Sequence, residues 1–131
     1  MTPEYLFVYG TLLKDTNNEM SEFLASHSEC LVKGFFNGKL YQISWFPGAV
    51  LASNPNDKVY GMVFKLKNPH EVFKVLDDYE GIGEQYQEPQ LYKREQVTVF
   101  LDDKTSLLAW VYLYNLSVSG FKQIVSGNFL S

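Results

Sequence analysis

The chain has 131 residues, 46% of them hydrophobic and 16% aromatic, and a formal net charge of -4. This length fits a single domain over residues 1–131, and the apolar content is enough for a hydrophobic core, which excludes a disordered chain. The negative charge argues against a nucleic-acid partner, because binding phosphates requires a stripe of Lys and Arg.

The first predicted element is a strand over Tyr5–Tyr9, an unbroken run of aromatic and aliphatic residues that is typical of a strand buried on both faces. The strand ends at Gly10. A short helix is predicted next, because Asn17 or Asn18 can cap its N-terminus and apolar residues then recur three and four positions apart.

Residues 30–67 are predicted to be mainly extended. Asn37-Gly38 lies between two apolar stretches, which predicts a hairpin within Cys30–Ile43. Phe46–Val50 indicates a turn that enters another extended piece, and a polar loop follows it. Val59–Lys67 alternates its side chains between two faces and is predicted to be a strand.

The clearest helix is predicted over residues 68–81. Asn68 suits the N-cap, Pro69 suits the first helical position, and Glu71 lies three residues after the cap, as in a capping box. Gly81 is a suitable residue to end the helix.

The remaining chain predicts a second hairpin, with strands over Tyr92–Leu101 and Leu107–Tyr114, and then a short helix near Phe121–Val125. Six or seven strands and two or three short helices, joined mostly by hairpins, predict an α+β domain. Its sheet should be curled and largely antiparallel, which allows it to close as a barrel.

Cysteine and histidine usage excludes some classes of site. Cys30 is the only cysteine, which excludes an internal disulfide, and His27 and His70 do not form a metal-ligand motif with it. No apolar run approaches the ~18 residues of a membrane span, and the start lacks a basic segment. We expect a cytoplasmic protein without a metal, a cofactor or a membrane partner.

Glu80 stands out on the predicted helix. On a helical wheel it falls inside the apolar stripe, whereas Lys74 and Asp78 lie opposite and Asp77 lies beyond the edge of the stripe. Five apolar residues form the stripe: Val72, Phe73, Val75, Leu76 and Tyr79. Glu80 is therefore predicted to point inward.

An inward carboxyl in the last helical turn favours its neutral form, because it loses water and lies at the negative end of the helix dipole. A glutamate in this state can accept and return a proton near neutral pH, as general acid–base catalysis requires. The alternative is a partly exposed glutamate at a frayed helix end, paired with Arg94 or a lysine.

The turn Tyr9-Gly10-Thr11-Leu12 is a second candidate site. Glycine after a buried strand lets the backbone turn sharply and lets a ligand approach its N–H groups, which suit a carboxylate or an oxyanion. The alternative is an ordinary turn from a strand into a loop.

Short segments spread over nearly the whole chain resemble the γ-glutamylcyclotransferase family, in particular its short members related to γ-glutamylamine cyclotransferases and AIG2-like proteins. These segments are Phe7–Leu12, Gly38–Tyr41, Phe46–Ala49, Val59–Gly61, Leu76–Gly81, Tyr92–Arg94 and Ala109–Tyr112. Two features depart from many relatives, namely Asp15 in place of glycine and a tail without tryptophan.

The resemblance implies a small, mostly antiparallel β-barrel of six or seven strands with two or three flanking helices. It implies that Glu80 is the catalytic acid–base and that Tyr92 lines the pocket. It also implies that backbone N–H groups of a four-residue turn wrap the γ-glutamyl group; this turn is Tyr9, Gly10, Thr11 and Leu12.

The activity implied by the resemblance is cleavage of a small γ-glutamyl amide by cyclisation to 5-oxoproline. The substrate's own α-amine is the nucleophile, so no cofactor is expected. Two alternatives are a non-catalytic module that binds a small ligand in the same cavity, and an amide hydrolase in which Glu80 activates water. The leaving amine is open, and a monomer or a homodimer is expected.

Overall fold

The computed structural model describes residues 4–9, 19–44 and 46–129, with only the backbone for 19–21. Its elements in chain order are β1 (Tyr5–Val8), α1 (Glu19–Ser26), β2 (Ser28–Gln42), β3 (Pro47–Leu51), β4 (Lys58–Leu66), α2 (Pro69–Tyr79), β5 (Tyr92–Leu101), β6 (Ser106–Tyr114) and β7 (Lys122–Gln123). No helix in the described part is long and apolar enough to cross a lipid bilayer.

Five strands close a barrel. They pair in the order β2, β4, β1, β6 and β5, and β5 pairs back onto β2. β1 and β6 run parallel, whereas the other neighbours in the barrel are antiparallel. β3 and β7 pair with the last part of β2 outside the ring. The predicted α+β fold with a mostly antiparallel barrel is therefore confirmed.

The barrel has a core inside and a second core between its outer face and the helices. Phe7 and Tyr9 belong to the inner core, whereas Leu6 and Val8 pack in the outer one, against residues of α1 and α2. Successive side chains of a strand point to opposite faces. Both faces of β1 are therefore buried, which explains its unbroken apolar run.

The predicted hairpin at Asn37-Gly38 is wrong, because β2 continues through it as one strand. β2 pairs with β4 as far as Asn37 and with β3 from Gly38 onward. A Cβ at Gly38 would lie 2.5 Å from the carbonyl oxygen of Val50 and 2.6 Å from the ring of Phe36. Gly38 therefore leaves room for the close packing of the backbone of Val50 and the ring of Phe36, and it does not form a turn.

Helix α2 lies where the sequence predicts it, but its first cap is different. Asn68 adopts a left-handed conformation (φ 50, ψ 65) and its side chain makes no capping hydrogen bond. At the other end Gly81 has φ 76, and Ile82 N–H donates to the carbonyl of Asp77 at 2.8 Å. This is the glycine-dependent helix end that the sequence predicts.

The predicted helix in the tail is wrong. Residues 122–123 form β7, in which Gln123 pairs with Tyr41 of β2. Ile124 N–H then donates to the carbonyl of Leu40 at 2.7 Å. Pairing with the free edge of β2 thus gives these backbone groups partners that a short isolated helix would lack.

Candidate active site at one end of the barrel

The strand directions bring four elements together at one end of the barrel. β1 and β6 are parallel, so Tyr9 after β1 and Tyr112 near the end of β6 lie toward the same end. β5 is antiparallel to β6, so its first residue Tyr92 pairs with Tyr114 at that end. The C-terminal end of α2 lies here as well, because the hydroxyl of Tyr112 donates to Asp77 Oδ1.

Glu80 is the C-cap of α2, and its N–H donates to the carbonyl of Leu76 at 2.9 Å. The side chain is partly buried. Burial raises the pKa of its carboxyl from 4.5 to about 7, and the charge of Asp77 adds to this rise. Near neutral pH both protonation states are therefore populated, which is the condition for giving and taking a proton.

Tyr9 is a framework residue of this end of the barrel. It is 6% exposed, its hydroxyl donates to the carbonyl of Tyr112 at 2.5 Å, and it accepts from the N–H of Ala49 at 3.1 Å. Burial raises its pKa, and the charge of Glu80 raises it further against the lowering effect of the Ala49 hydrogen bond. Tyr9 thus remains neutral and ties β1 to β6 and β3.

Tyr92 joins the start of β5 to the start of β3. Its hydroxyl donates to the carbonyl of Pro47 at 2.7 Å, and its ring lies 6.2 Å from that of Phe46 and 5.9 Å from that of Tyr114. Burial is the main cause that raises its pKa, followed by nearby Tyr9, Glu80 and Tyr114. Tyr92 is therefore a neutral residue, and the nearby charge of Glu80 contributes to its raised pKa.

Asp77 brings a second acid to the site. It accepts hydrogen bonds from Arg94 Nε to Oδ1 at 2.9 Å and from Nη2 to Oδ2 at 3.1 Å. The hydroxyl of Tyr112 also donates to Asp77 Oδ1, at 2.7 Å. Burial raises the pKa of Tyr112 most, and its contact with Asp77 raises it further.

The sequence interpretation missed the role of Asp77. The helical wheel put Asp77 beyond the apolar stripe. The alternative interpretation of Glu80 paired it with Arg94 or a lysine, whereas the structure pairs Arg94 with Asp77. Among the described residues, none donates a hydrogen bond to the Glu80 carboxyl or forms an ion pair with it. The spacing of Asp77 and Glu80, three residues apart on one helix, was the signal that could have shown two acids on one face.

The segment between Glu80 and Tyr92 is tied to the rest of the site. Asp78 accepts from the hydroxyl of Tyr86 at 2.7 Å and from Gln85 Nε2 at 3.2 Å. At the far end of the segment, Leu91 accepts from the N–H of Asn115 at 2.7 Å. Asp78 is exposed, but its hydrogen bonds fix this loop. A substitution of Asp78 would therefore disturb the site and is unsuitable as a control for a substitution of Glu80.

Three of the predicted site residues, Gly10, Thr11 and Leu12, lie outside the described residues. Tyr9, which precedes them, also lines a cavity of about 370 Å³ together with Tyr60 of β4. Glu80 is not part of the described lining, so this cavity adjoins the site without containing the acid. In the described ranges no three His, Cys, Asp or Glu side chains are grouped as metal ligands.

Comparisons with known proteins agree with the fold. A model of the family described as "Gamma-glutamyl cyclotransferase, AIG2-like" matches residues 6–131. A relative from Methanocaldococcus jannaschii, named "Putative gamma-glutamylcyclotransferase", is 28% identical over 111 residues, which cover 85% of this chain and 84% of the relative.

Solved structures extend this similarity over almost the whole chain. The protein ytfP from Escherichia coli is 26% identical with a TM-score of 0.65, over 97% of this chain and 96% of that one. A mouse AIG2-like protein is 20% identical with a TM-score of 0.69, over 91% and 82%. YkqA from Bacillus subtilis is 24% identical with a TM-score of 0.69 over 97% of this chain, which spans only 39% of YkqA.

Proposed function

Because the chain belongs to the AIG2-like gamma-glutamyl cyclotransferase family, we propose that it cleaves a γ-glutamyl amide by cyclising the glutamyl group to 5-oxoproline, which releases an amine or amino acid. Glu80 is the general acid–base of this reaction. The observation that carries the proposal is the state of its carboxyl, which is partly buried and has a pKa raised to about 7.

The proposed reaction moves two protons from the attacking nitrogen to the leaving nitrogen and needs no protein nucleophile. The Glu80 carboxylate takes a proton from the substrate's α-ammonium group, and the free amine attacks the γ-carbonyl carbon to form a five-membered lactam. The bond from that carbon to the amide nitrogen breaks as Glu80 returns the proton to the leaving nitrogen. The ring nitrogen then gives up its second proton through Glu80 to the released amine, which leaves as an ammonium ion. A carboxyl with a pKa near 7 suits both steps, because it is neither a very weak base nor a very weak acid at neutral pH.

Positioning of the substrate is the other part of the proposal. Intramolecular attack is fast only when the glutamyl chain is held in its folded conformation, and a positioned acid–base then adds about 10²–10⁴-fold. We assign the holding to backbone N–H groups of Gly10, Thr11 and Leu12, which is an inference from the family resemblance. Preorganised donors of this kind are worth roughly 2.7–4 kcal/mol each at a developing oxyanion.

The tyrosines around Glu80 support this assignment. Tyr9, Tyr92 and Tyr112 stay neutral, because burial raises the pKa of each. The hydroxyl of each also donates to a protein oxygen. They are therefore near enough to feel the charge of Glu80 and do not compete for its proton. Burial of the carboxyl keeps its pKa high.

The test is a substrate screen with a product readout. Purified protein is incubated with γ-glutamyl amines and γ-glutamyl amino acids, and 5-oxoproline is measured by mass spectrometry. Free glutamate in place of 5-oxoproline would identify an amide hydrolase. Binding of these compounds without any product would identify a binding module, and either result would overturn the proposal.

The same proposal places the protein in the cytoplasm, acting on a small molecule as a monomer or a homodimer. Cell fractionation and light scattering test these two points. Recovery in the membrane fraction, or a larger assembly in solution, would contradict them.

A further inference from the structure

Arg94 is fixed in a single orientation beside the site. Besides its two hydrogen bonds to Asp77, its guanidinium lies 3.9 Å from the centre of the Phe73 ring and 4.6 Å from that of Trp110. A planar cation can bind a carboxylate through two parallel hydrogen bonds while its faces lie against aromatic rings. The two side chains of the ion pair are each only 23% exposed, so water screens it less than a surface pair.

Asp77, in the last turn of α2, is anchored by two strands of the barrel. It is bound from β5 through Arg94 and from β6 through the hydroxyl of Tyr112. Glu80 follows three residues later, and residues with this spacing are neighbours on a helix surface. The contacts of Asp77 with two strands therefore hold the turn of α2 that carries Glu80 against β5 and β6.

We propose that Asp77 and Arg94 are a pair of positioning residues for Glu80: Arg94 and Tyr112 anchor Asp77, and Asp77 in turn sets the place of Glu80 and the pH range in which its carboxyl exchanges a proton. This inference rests on the proposed acid–base role of Glu80. Neither residue of the pair transfers a proton to the substrate, so neither is a catalytic residue.

The groups around Glu80 determine in which direction each variant should shift the pKa of its carboxyl. Asp77 faces it from α2, Tyr9 from the end of β1, Tyr92 from β5 and Tyr112 from β6. The tyrosines are neutral, so Asp77 supplies the negative charge that adds to the effect of burial on the pKa of Glu80. Arg94 offsets part of that charge, because it is bound directly to it.

Two variants should therefore shift the titration of Glu80 in opposite directions. Asp77→Asn removes the negative charge and should lower the pKa of Glu80 by about half to one pH unit, the size expected for neighbouring charges near a protein surface. Arg94→Gln leaves the Asp77 charge uncompensated and should raise the pKa of Glu80. A purely structural pair would lower the melting temperature in both variants without this reversal of sign.

The experiment follows the Glu80 carboxyl by heteronuclear NMR titration of the full chain, and in parallel measures the acid limb of kcat/KM against pH. Glu71→Gln, an exposed acid in the first turn of the same helix, is the control and should leave the titration unchanged. If Asp77→Asn does not fold, an upward shift in Arg94→Gln supports the proposal, and no shift or a downward shift overturns it.

The two readouts also separate this inference from the proposed function. The NMR titration requires no turnover, so opposite shifts without 5-oxoproline would support the positioning pair and reject the cyclotransferase activity. Release of 5-oxoproline, with pKa shifts that are absent or have the same sign in both variants, would support the cyclotransferase activity and reject the positioning pair.

Discussion

Glu80→Gln should have opposite effects on activity and on stability. Glutamine resembles the protonated glutamate in shape and hydrogen bonding but cannot exchange a proton. Loss of a positioned acid–base should lower kcat by about 10²–10⁴-fold. The same substitution removes a carboxyl whose ionised form is disfavoured by burial and by Asp77. The folded protein should therefore become more stable at a pH where the wild-type carboxyl is ionised.

The size and sign of the stability effect follow from the pKa. The pKa of Glu80 in the folded chain is about 7 and its ordinary value is 4.5. Because the folded-state value is raised, the contribution of the protonated carboxyl is complete below pH 4.5 and is lost as the pH rises through 7. At about 1.4 kcal/mol per pH unit the loss amounts to at most about 3 kcal/mol. Glu80→Gln should thus gain up to this amount above pH 7 and little near pH 4.5.

The assay compares urea unfolding of the wild type and of Glu80→Gln at pH 4.5 and pH 8. The matched control is Glu84→Gln, which changes an exposed glutamate on the loop that follows Glu80. It should leave both activity and the pH dependence of stability near those of the wild type. A difference in unfolding free energy between Glu80→Gln and the wild type that is the same at both pH values would refute the reasoning, because it would show an ordinary pKa for Glu80.

Two further predictions concern the framework. Tyr9→Phe should lower the free energy of unfolding by about 1–3 kcal/mol in a urea titration, because it leaves the buried Ala49 N–H without its partner; an unchanged midpoint would contradict the role of this hydroxyl. Gly38→Ala should cost about 1–3 kcal/mol or more in the same assay, because its Cβ would meet the backbone oxygen of Val50 at 2.5 Å. A stability gain in Gly38→Ala would show that β2 can move away at no cost.

The periodicity of apolar residues in the sequence predicted the elements that bury one or both faces. The strands around β1, β4, β5 and β6 and helix α2 each show it, and Val72, Phe73 and Leu76 of the predicted stripe are buried. Tyr79, placed on the same stripe, is the last residue of α2 and is 40% exposed. The hydrophobic pattern of an element therefore predicts which of its faces is turned to the core. How many residues of that face are buried depends on the neighbouring elements.

The wrong or missing predictions share a physical cause. At each of these positions a contact with a residue distant in sequence outweighs the local sequence preference. Asn-Gly favours a tight turn in isolation, but in this chain Gly38 lies inside β2, where a Cβ would meet the ring of Phe36 and the backbone oxygen of Val50. The predicted helix in the tail gives way to pairing with β2. The ion pair of Asp77 and Arg94 joins residues 17 apart in sequence, and no local pattern reports it. Distant contacts of this kind appear only once the barrel is closed.

The arrangement of charges around α2 supports the proposed catalytic role of Glu80. Arg94 forms the described ion pair of this turn of α2, and both of its described side-chain hydrogen bonds go to Asp77. Glu80, three residues further on, is left partly buried beside that acid, and its ionised form costs folding free energy. A glutamate with a structural role would be expected to take the cation, because burying an unpaired carboxylate is destabilising. A carboxyl that is disfavoured in its ionised form can instead lower its free energy by taking a proton from a bound α-ammonium group, which is the step that the proposed cyclisation requires first.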